Sequence, residues 1–139
     1  MLFRSPAAGD YWVMLNSYAS YTGVSLTGSF TGGGGGGGDP VLTNGTAVTS
    51  LSGATNTNQF FRINTPAGKT LTVKINGGSG DADLYTRFGS RPTTSTYACR
   101  PYLTGNTETC TQTSTQAGDY YVMLRGYQAF SGVSLIASY

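Results

Sequence analysis

The chain has 139 residues, only 10% of them charged, with a formal net charge of +2 and no histidine. No basic cluster gives an electrostatic footprint for nucleic acid or an anionic membrane surface, and no apolar run approaches membrane-spanning length. Aromatics at 12% exclude a disordered composition, while two closely placed cysteines among abundant Thr, Ser and Gly point to secretion into an oxidising compartment.

Residues 1–8 read as the trailing edge of an earlier segment, ended by Pro6. From Gly9 the chain alternates with period two: Tyr11, Val13 and Leu15, then Val24, Leu26 and Phe30, share one face, with Ser25, Thr27 and Ser29 opposite. That pattern predicts a β-hairpin over 9–30. The glycines Gly32–Gly38 follow, ending in Asp39-Pro40. Polyglycine has maximal backbone freedom and nothing to bury, so residues 31–40 are expected to be a flexible linker. A phosphate-cradling loop would need a Lys-Ser/Thr and a following helix, and both are missing.

The main domain is expected over 41–139. Val41–Val48 with Leu51 predicts a first, irregular strand. Phe61 and Ile63 alternate with Phe60 and Arg62 in a second; Leu71, Val73 and Ile75 alternate with Thr72, Lys74 and Asn76 in a third. Gly77-Gly-Ser-Gly breaks the chain before a fourth strand from Ala82. Segments around Tyr97–Tyr102 and Glu108–Thr113 flank a turn at Gly105-Asn106. Tyr120, Val122 and Leu124, then Val133, Leu135, Ala137 and Tyr139, predict a closing hairpin. Short strands with Gly/Pro-rich turns and no helical period predict an all-β, antiparallel β-sandwich. A Cys99–Cys110 disulfide would close a short loop and contribute about 2–3 kcal/mol.

The closing stretch occurs twice: residues 9–30 align without a gap on 118–139. One hairpin completes the fold, and the other is surplus. A lone hairpin is marginal in water, so the surplus copy, with Tyr11, Trp12, Val13, Leu15, Val24, Leu26 and Phe30, is expected to bury its apolar face elsewhere. Addition to a neighbouring sandwich would join subunits through main-chain hydrogen bonds, and a head-to-tail version would propagate as a filament.

Three separated motifs carry a family resemblance: Gly78-Ser-Gly-Asp-Ala-Asp-Leu-Tyr-Thr-Arg-Phe-Gly-Ser-Arg-Pro-Thr, then Cys99-Arg-Pro-Tyr with Glu108-Thr-Cys, and Ala117-Gly-Asp-Tyr-Tyr-Val-Met-Leu-Arg-Gly-Tyr. Residues 41–139 closely resemble the bacterial pre-peptidase C-terminal (PPC) domain, related to the collagen-binding domains of clostridial collagenases, and 1–30 resemble the final third of a second, truncated copy. The resemblance implies a jelly-roll-like sandwich on secreted bacterial proteases, without catalytic activity, serving secretion, processing or adhesion to insoluble, collagen-like protein. It also sets the extra N-terminal hairpin on its polyglycine tether apart as a departure from the family.

Without histidine, neither a Ser-His-Asp triad nor a zinc-protease motif can be assembled, so no enzyme is expected. Asp81 and Asp83 stand two apart and would share a strand face, from which they could grip one Ca²⁺ with loop carbonyls. The plainer reading, that Asp81 caps the Gly-rich turn, is preferred, and no cofactor is expected. For a partner surface the tyrosines stand out, being amphipathic, rigid and cheap to order. Tyr85, Tyr97, Tyr102, Tyr121 and Tyr127 are candidates, and Tyr121, Met123 and Arg125 share the face opposite the core set and are expected to be exposed. Expected partners are therefore insoluble protein or other copies of the chain, a possible homopolymer; a carbohydrate-binding module is the third reading.

Overall fold

A computed structural model of the protein describes Thr22 and residues 38–139. The expected N-terminal hairpin, with Tyr11, Trp12, Val13, Leu15, Val24, Leu26 and Phe30, and the linker up to Gly37 lie outside the described residues. Asp39–Tyr139 form one compact unit. It begins two residues before Val41, because Asp39 and Pro40 are bound in: the Arg91 guanidinium holds the Asp39 carboxylate with two hydrogen bonds, and Arg62 N–H donates to Pro40 O at 3.0 Å.

Seven strands follow in order: β1 Val48–Gly53, β2 Asn58–Thr65, β3 Leu71–Asn76, β4 Ala82–Phe88, β5 Glu108–Gln112, β6 Gly118–Gly126 and β7 Phe130–Ser138. They form two antiparallel sheets, ordered β1-β7-β3-β5 and β2-β6-β4, facing each other as a sandwich. Odd strands make one sheet and even strands the other, so every connection crosses between layers.

That alternation corrects the closing hairpin. β6 and β7 do not pair: β6 lies between β2 and β4, and β7 between β1 and β3. Their apolar rows, Tyr120, Val122 and Leu124 against Val133, Leu135 and Ala137, belong to one buried cluster across the sandwich interior. Alternating apolar residues demand burial, and a facing sheet supplies it as well as a hairpin packed on something else. The first strand is also shorter than expected: Val41 makes only an isolated bridge to Arg62, and β1 starts at Val48 with register shifts against β7.

Phe61 and Ile63 from β2, Leu71, Val73 and Ile75 from β3, Ala82 and Leu84 from β4, and Cys110 from β5 complete the core. The turn before β4 lies tightly against the β6–β7 connection. Gly78 and Gly80 have positive φ, and a Cβ on either would overlap the Ser131 or Ala129 carbonyl oxygen. Only glycine fits there.

The β4 edge of the three-stranded sheet is covered, and the β2 edge is met at one point. On β4 the outward amides of Ala82, Leu84 and Thr86 donate to Asn106 Oδ1 (2.9 Å), Glu108 Oε2 (2.6 Å) and Cys99 O (3.0 Å). On β2, Arg62 is bracketed by Pro40 and Leu42. A strand edge whose donors are satisfied as those of β4 are does not template a further strand.

Candidate functional site

The outer face of the three-stranded sheet carries cross-strand rows set by register: Phe60–Met123–Tyr85, Arg62–Tyr121–Arg87 and Asn58–Arg125–Asp83. The segment between β4 and β5 lies over the first row. Arg91 sits 4.6 Å over the Phe60 ring and Arg100 5.0 Å over the Tyr85 ring, and Tyr97 meets Tyr85 edge to face at 5.6 Å. Tyr85 and Met123 are consequently 0% and 1% exposed. The expectation of an open Tyr121, Met123, Arg125 group and of a surface Tyr85 is corrected. Tyr121 and Arg125 are half-buried, with Arg125 donating to Asn56 Oδ1 at 2.6 Å, and a polar-looking outer face has become a second packed layer.

Where that segment turns toward β5 it builds a groove of about 190 Å³, lined by Asp81, Asp83, Tyr102, Leu103, Thr104 and Tyr127. Asp83 lies on β4 and Asp81 immediately precedes it. Gly126 pairs with Ala82, and Gln128 N–H donates to Asp81 O at 3.0 Å, which fixes Tyr127 at the rim. Tyr102 and Tyr127 meet edge to face, centroids 6.3 Å apart, and are 57% and 46% exposed. Leu103 beside them is exposed as well.

The loop carrying Tyr102 to Thr104 is held at several points. Cys99 and Cys110 are disulfide-bonded across its base. The Glu108 carboxylate accepts from Leu103 N–H and Leu84 N–H, both at 2.6 Å, joining the loop to β4. Asp81 Oδ1 accepts from Gly105 N–H at 3.1 Å, and Asn106 donates to Gly77 O at 3.0 Å. Arg100 donates to Asp83 Oδ2 at 3.1 Å and lies 3.6 Å over the Tyr102 ring. Its Nε is buried without a hydrogen-bond partner among the described residues, held between the Tyr85 and Tyr102 rings. Tyr102 itself has a positive φ of 57°, a conformation that a bulky residue adopts only when its surroundings impose it.

The electrostatics follow from these contacts. Burial pushes the Glu108 carboxyl above its ordinary range, against the pull of the Leu103 and Leu84 amides, and the nearby Asp83 and Asp81 charges add to the rise. Burial likewise raises the Tyr85 hydroxyl, reinforced by Asp83. As for Ca²⁺, Asp83 is ion-paired to Arg100 and Asp81 serves the Gly105 turn. Among the described residues no group of three candidate ligand side chains converges for a metal ion.

Of the expected tyrosines, the fold brings Tyr102 and Tyr127 together, sets Tyr97 (exposed) on top of buried Tyr85, and leaves Tyr121 on a separate row. Arg100, Leu103 and Glu108 belong to the site without having been singled out as site residues. A leucine beside the Thr104-Gly105 turn and a lone glutamate between two cysteines were the available signals.

The family model described as "Bacterial pre-peptidase C-terminal domain" matches residues 57–126. The chain is 48% identical over 110 residues to "Alkaline serine exoprotease A" of Vibrio alginolyticus, covering 78% of this chain and 21% of that protein. The solution structure of "vEP C-ter 100" matches with a TM-score of 0.61 at 44% identity, over 72% of this chain and 99% of that one. The "pre-Peptidase C-terminal Domain of Collagenase from Bacillus anthracis" shares the fold, with a TM-score of 0.54 at 13% identity, over 72% of this chain and 94% of that one. The chain thus spans about a fifth of the length of the protease it matches.

Proposed function

The chain belongs to the bacterial pre-peptidase C-terminal domain family, and on that premise we propose that its aromatic-rimmed groove holds insoluble protein for an attached protease. The domain is a non-catalytic accessory domain of a secreted bacterial protein. The observation that carries the proposal is the convergence of Tyr102, Leu103 and Tyr127, from two distant segments, on one exposed rim over a braced loop. Exposed aromatics fixed in advance bind flat protein surfaces at little entropic cost. Tyr97 extends this rim along the loop, and Tyr121 and Arg125 are read as lesser contacts; Tyr85 and Met123 serve as support. The alternation of every successive strand between sheets supports reading the sandwich as jelly-roll-like.

Co-sedimentation with insoluble collagen tests the adhesion. Wild type is expected in the pellet and the Tyr102→Ala/Tyr127→Ala double variant in the supernatant. Equal pelleting of both would remove the rim from the account. Pelleting with chitin instead of collagen would move the ligand to polysaccharide.

A second reading concerns self-association. Tyr11, Val13, Leu15, Val24 and Leu26 repeat the residue types of Tyr120, Val122, Leu124, Val133 and Leu135, the inward rows of the central strands of both sheets. We read residues 1–30 as carrying the closing strands of a second repeat of this kind, 31–38 as linker and 39–139 as the sandwich domain. With the β4 edge covered by the loop before β5, exchange of 9–30 for 118–139 of another copy fits better than addition to that edge. Light scattering on the whole chain and on a deletion of 1–30 tests it: oligomers or filaments that vanish on deletion support exchange, and a monomer in both cases ends it.

A further inference from the structure

From the charge balance of the groove we infer that it takes the side chain of a basic residue, lysine or arginine, presented by the bound protein; this rests on the adhesion reading above. Three carboxylates lie at or beneath the groove, and only one is open. Glu108 is 1% exposed and both its oxygens are engaged by amides. Asp83 is neutralised by Arg100. Asp81 is 7% exposed and lines the groove. Its Oδ1 accepts from Gly105 N–H, whereas among the described residues its Oδ2 accepts nothing and no cation pairs with it. A carboxylate oxygen left open to the groove gains from a donor entering there, and a charged donor gains most.

The walls suit the rest of such a side chain. Tyr127, Tyr102 and Leu103 offer apolar surface for an alkyl stem, and tyrosine faces attract a cation. Arg100 already shows the arrangement within the chain, its guanidinium stacked on Tyr102 and hydrogen-bonded to Asp83. A divalent metal fits less well. Ca²⁺ takes six to eight oxygen ligands, and with Asp83 ion-paired the groove supplies one open carboxylate.

The test is an NMR titration of the labelled whole chain with n-butylammonium and n-butylguanidinium, with n-butanol and CaCl₂ as comparators. Saturable shifts are expected at the amides of Leu103, Thr104 and Gly105 with either cation and not with butanol. Asp81→Asn keeps an acceptor for Gly105 N–H and should weaken binding about tenfold, the loss of one charged hydrogen bond. No saturable shift, equal affinity in Asp81→Asn, or shifts produced by Ca²⁺ alone would each overturn the inference. Sedimentation on native and lysine-acetylated, arginine-blocked collagen separates it from the reading beneath it. Equal pelleting of wild type on both forms overturns the basic-residue inference and leaves adhesion standing. Binding of the small cations in the groove without pelleting overturns adhesion alone.

Discussion

β3 and β4 lie in opposite sheets and show two kinds of strand. Along β3 every second residue is buried and its neighbours are open or half-open. Along β4 the first five residues are all buried. The cause lies outside either strand: the segment between β4 and β5 crosses the outer face of the three-stranded sheet and buries Tyr85 and Met123. Period-two alternation reports burial only where one face of the sheet meets water. A sheet covered on both sides hides a second core under residues that look like surface, and the segment that covers it is also the one that carries the groove.

Outward-facing side chains should therefore differ sharply between the two sheets. Met123→Ala, outward on β6, is expected to cost about 2–5 kcal/mol, as a core truncation does. Lys74→Ala, outward on β3, should stay within about 0.5 kcal/mol. Urea denaturation measures both, and similar values would break the contrast. Cys99→Ser with Cys110→Ser releases the base of the covering segment, with an expected loss of about 3 kcal/mol and a lower melting temperature. Glu108→Gln replaces an acceptor-only carboxylate with an amide that matches just one of its two N–H donors, and should cost about 1–3 kcal/mol.

Two carboxyl groups sharpen the contrast through pH. Asp119 is held below its ordinary 3.8 by Asn64, with Arg62 reinforcing. Its contribution to stability is full above 3.8 and lost as pH falls through the lowered value. Glu108 lies above its ordinary 4.5, so its contribution is full below 4.5 and lost as pH rises through the raised value. The urea midpoint followed against pH should lose its acid-side slope in Asp119→Asn, an effect of about 0.2–1 kcal/mol, and part of its slope above 4.5 in Glu108→Gln. Tyr127→Ala should be the mildest for stability, within about 0.5 kcal/mol, while reducing collagen pelleting.

The strands were legible where one face is wet. Leu71, Val73 and Ile75 state their burial in their spacing, and Tyr120, Val122 and Leu124 state theirs. The loop tyrosines were legible as candidates by type, since Tyr102 and Tyr127 stand among polar turn residues. Tyr85 and Met123 were not, because what buries them is contributed by Arg91, Tyr97 and Arg100, residues whose own pattern is that of a loop. Glu108 was equally opaque. A single glutamate in a strand reads as solvent-facing until the register places it beside Ile75, on the inward face, within reach of the Leu84 amide.

Local residue spacing alone determined that this chain makes β-strands, where most of them run, and which rows must leave water, since the pleat assigns alternate side chains to opposite faces whatever the strand pairs with. Which strands pair was decided only in three dimensions. The rows of β6 and β7 satisfy their need for burial equally well side by side or face to face, and only the packing of whole sheets selects between them. The groove was decided at the same level, because its floor and rim come from β4, the β6–β7 connection and the loop before β5, segments that nothing in their own residues brings together.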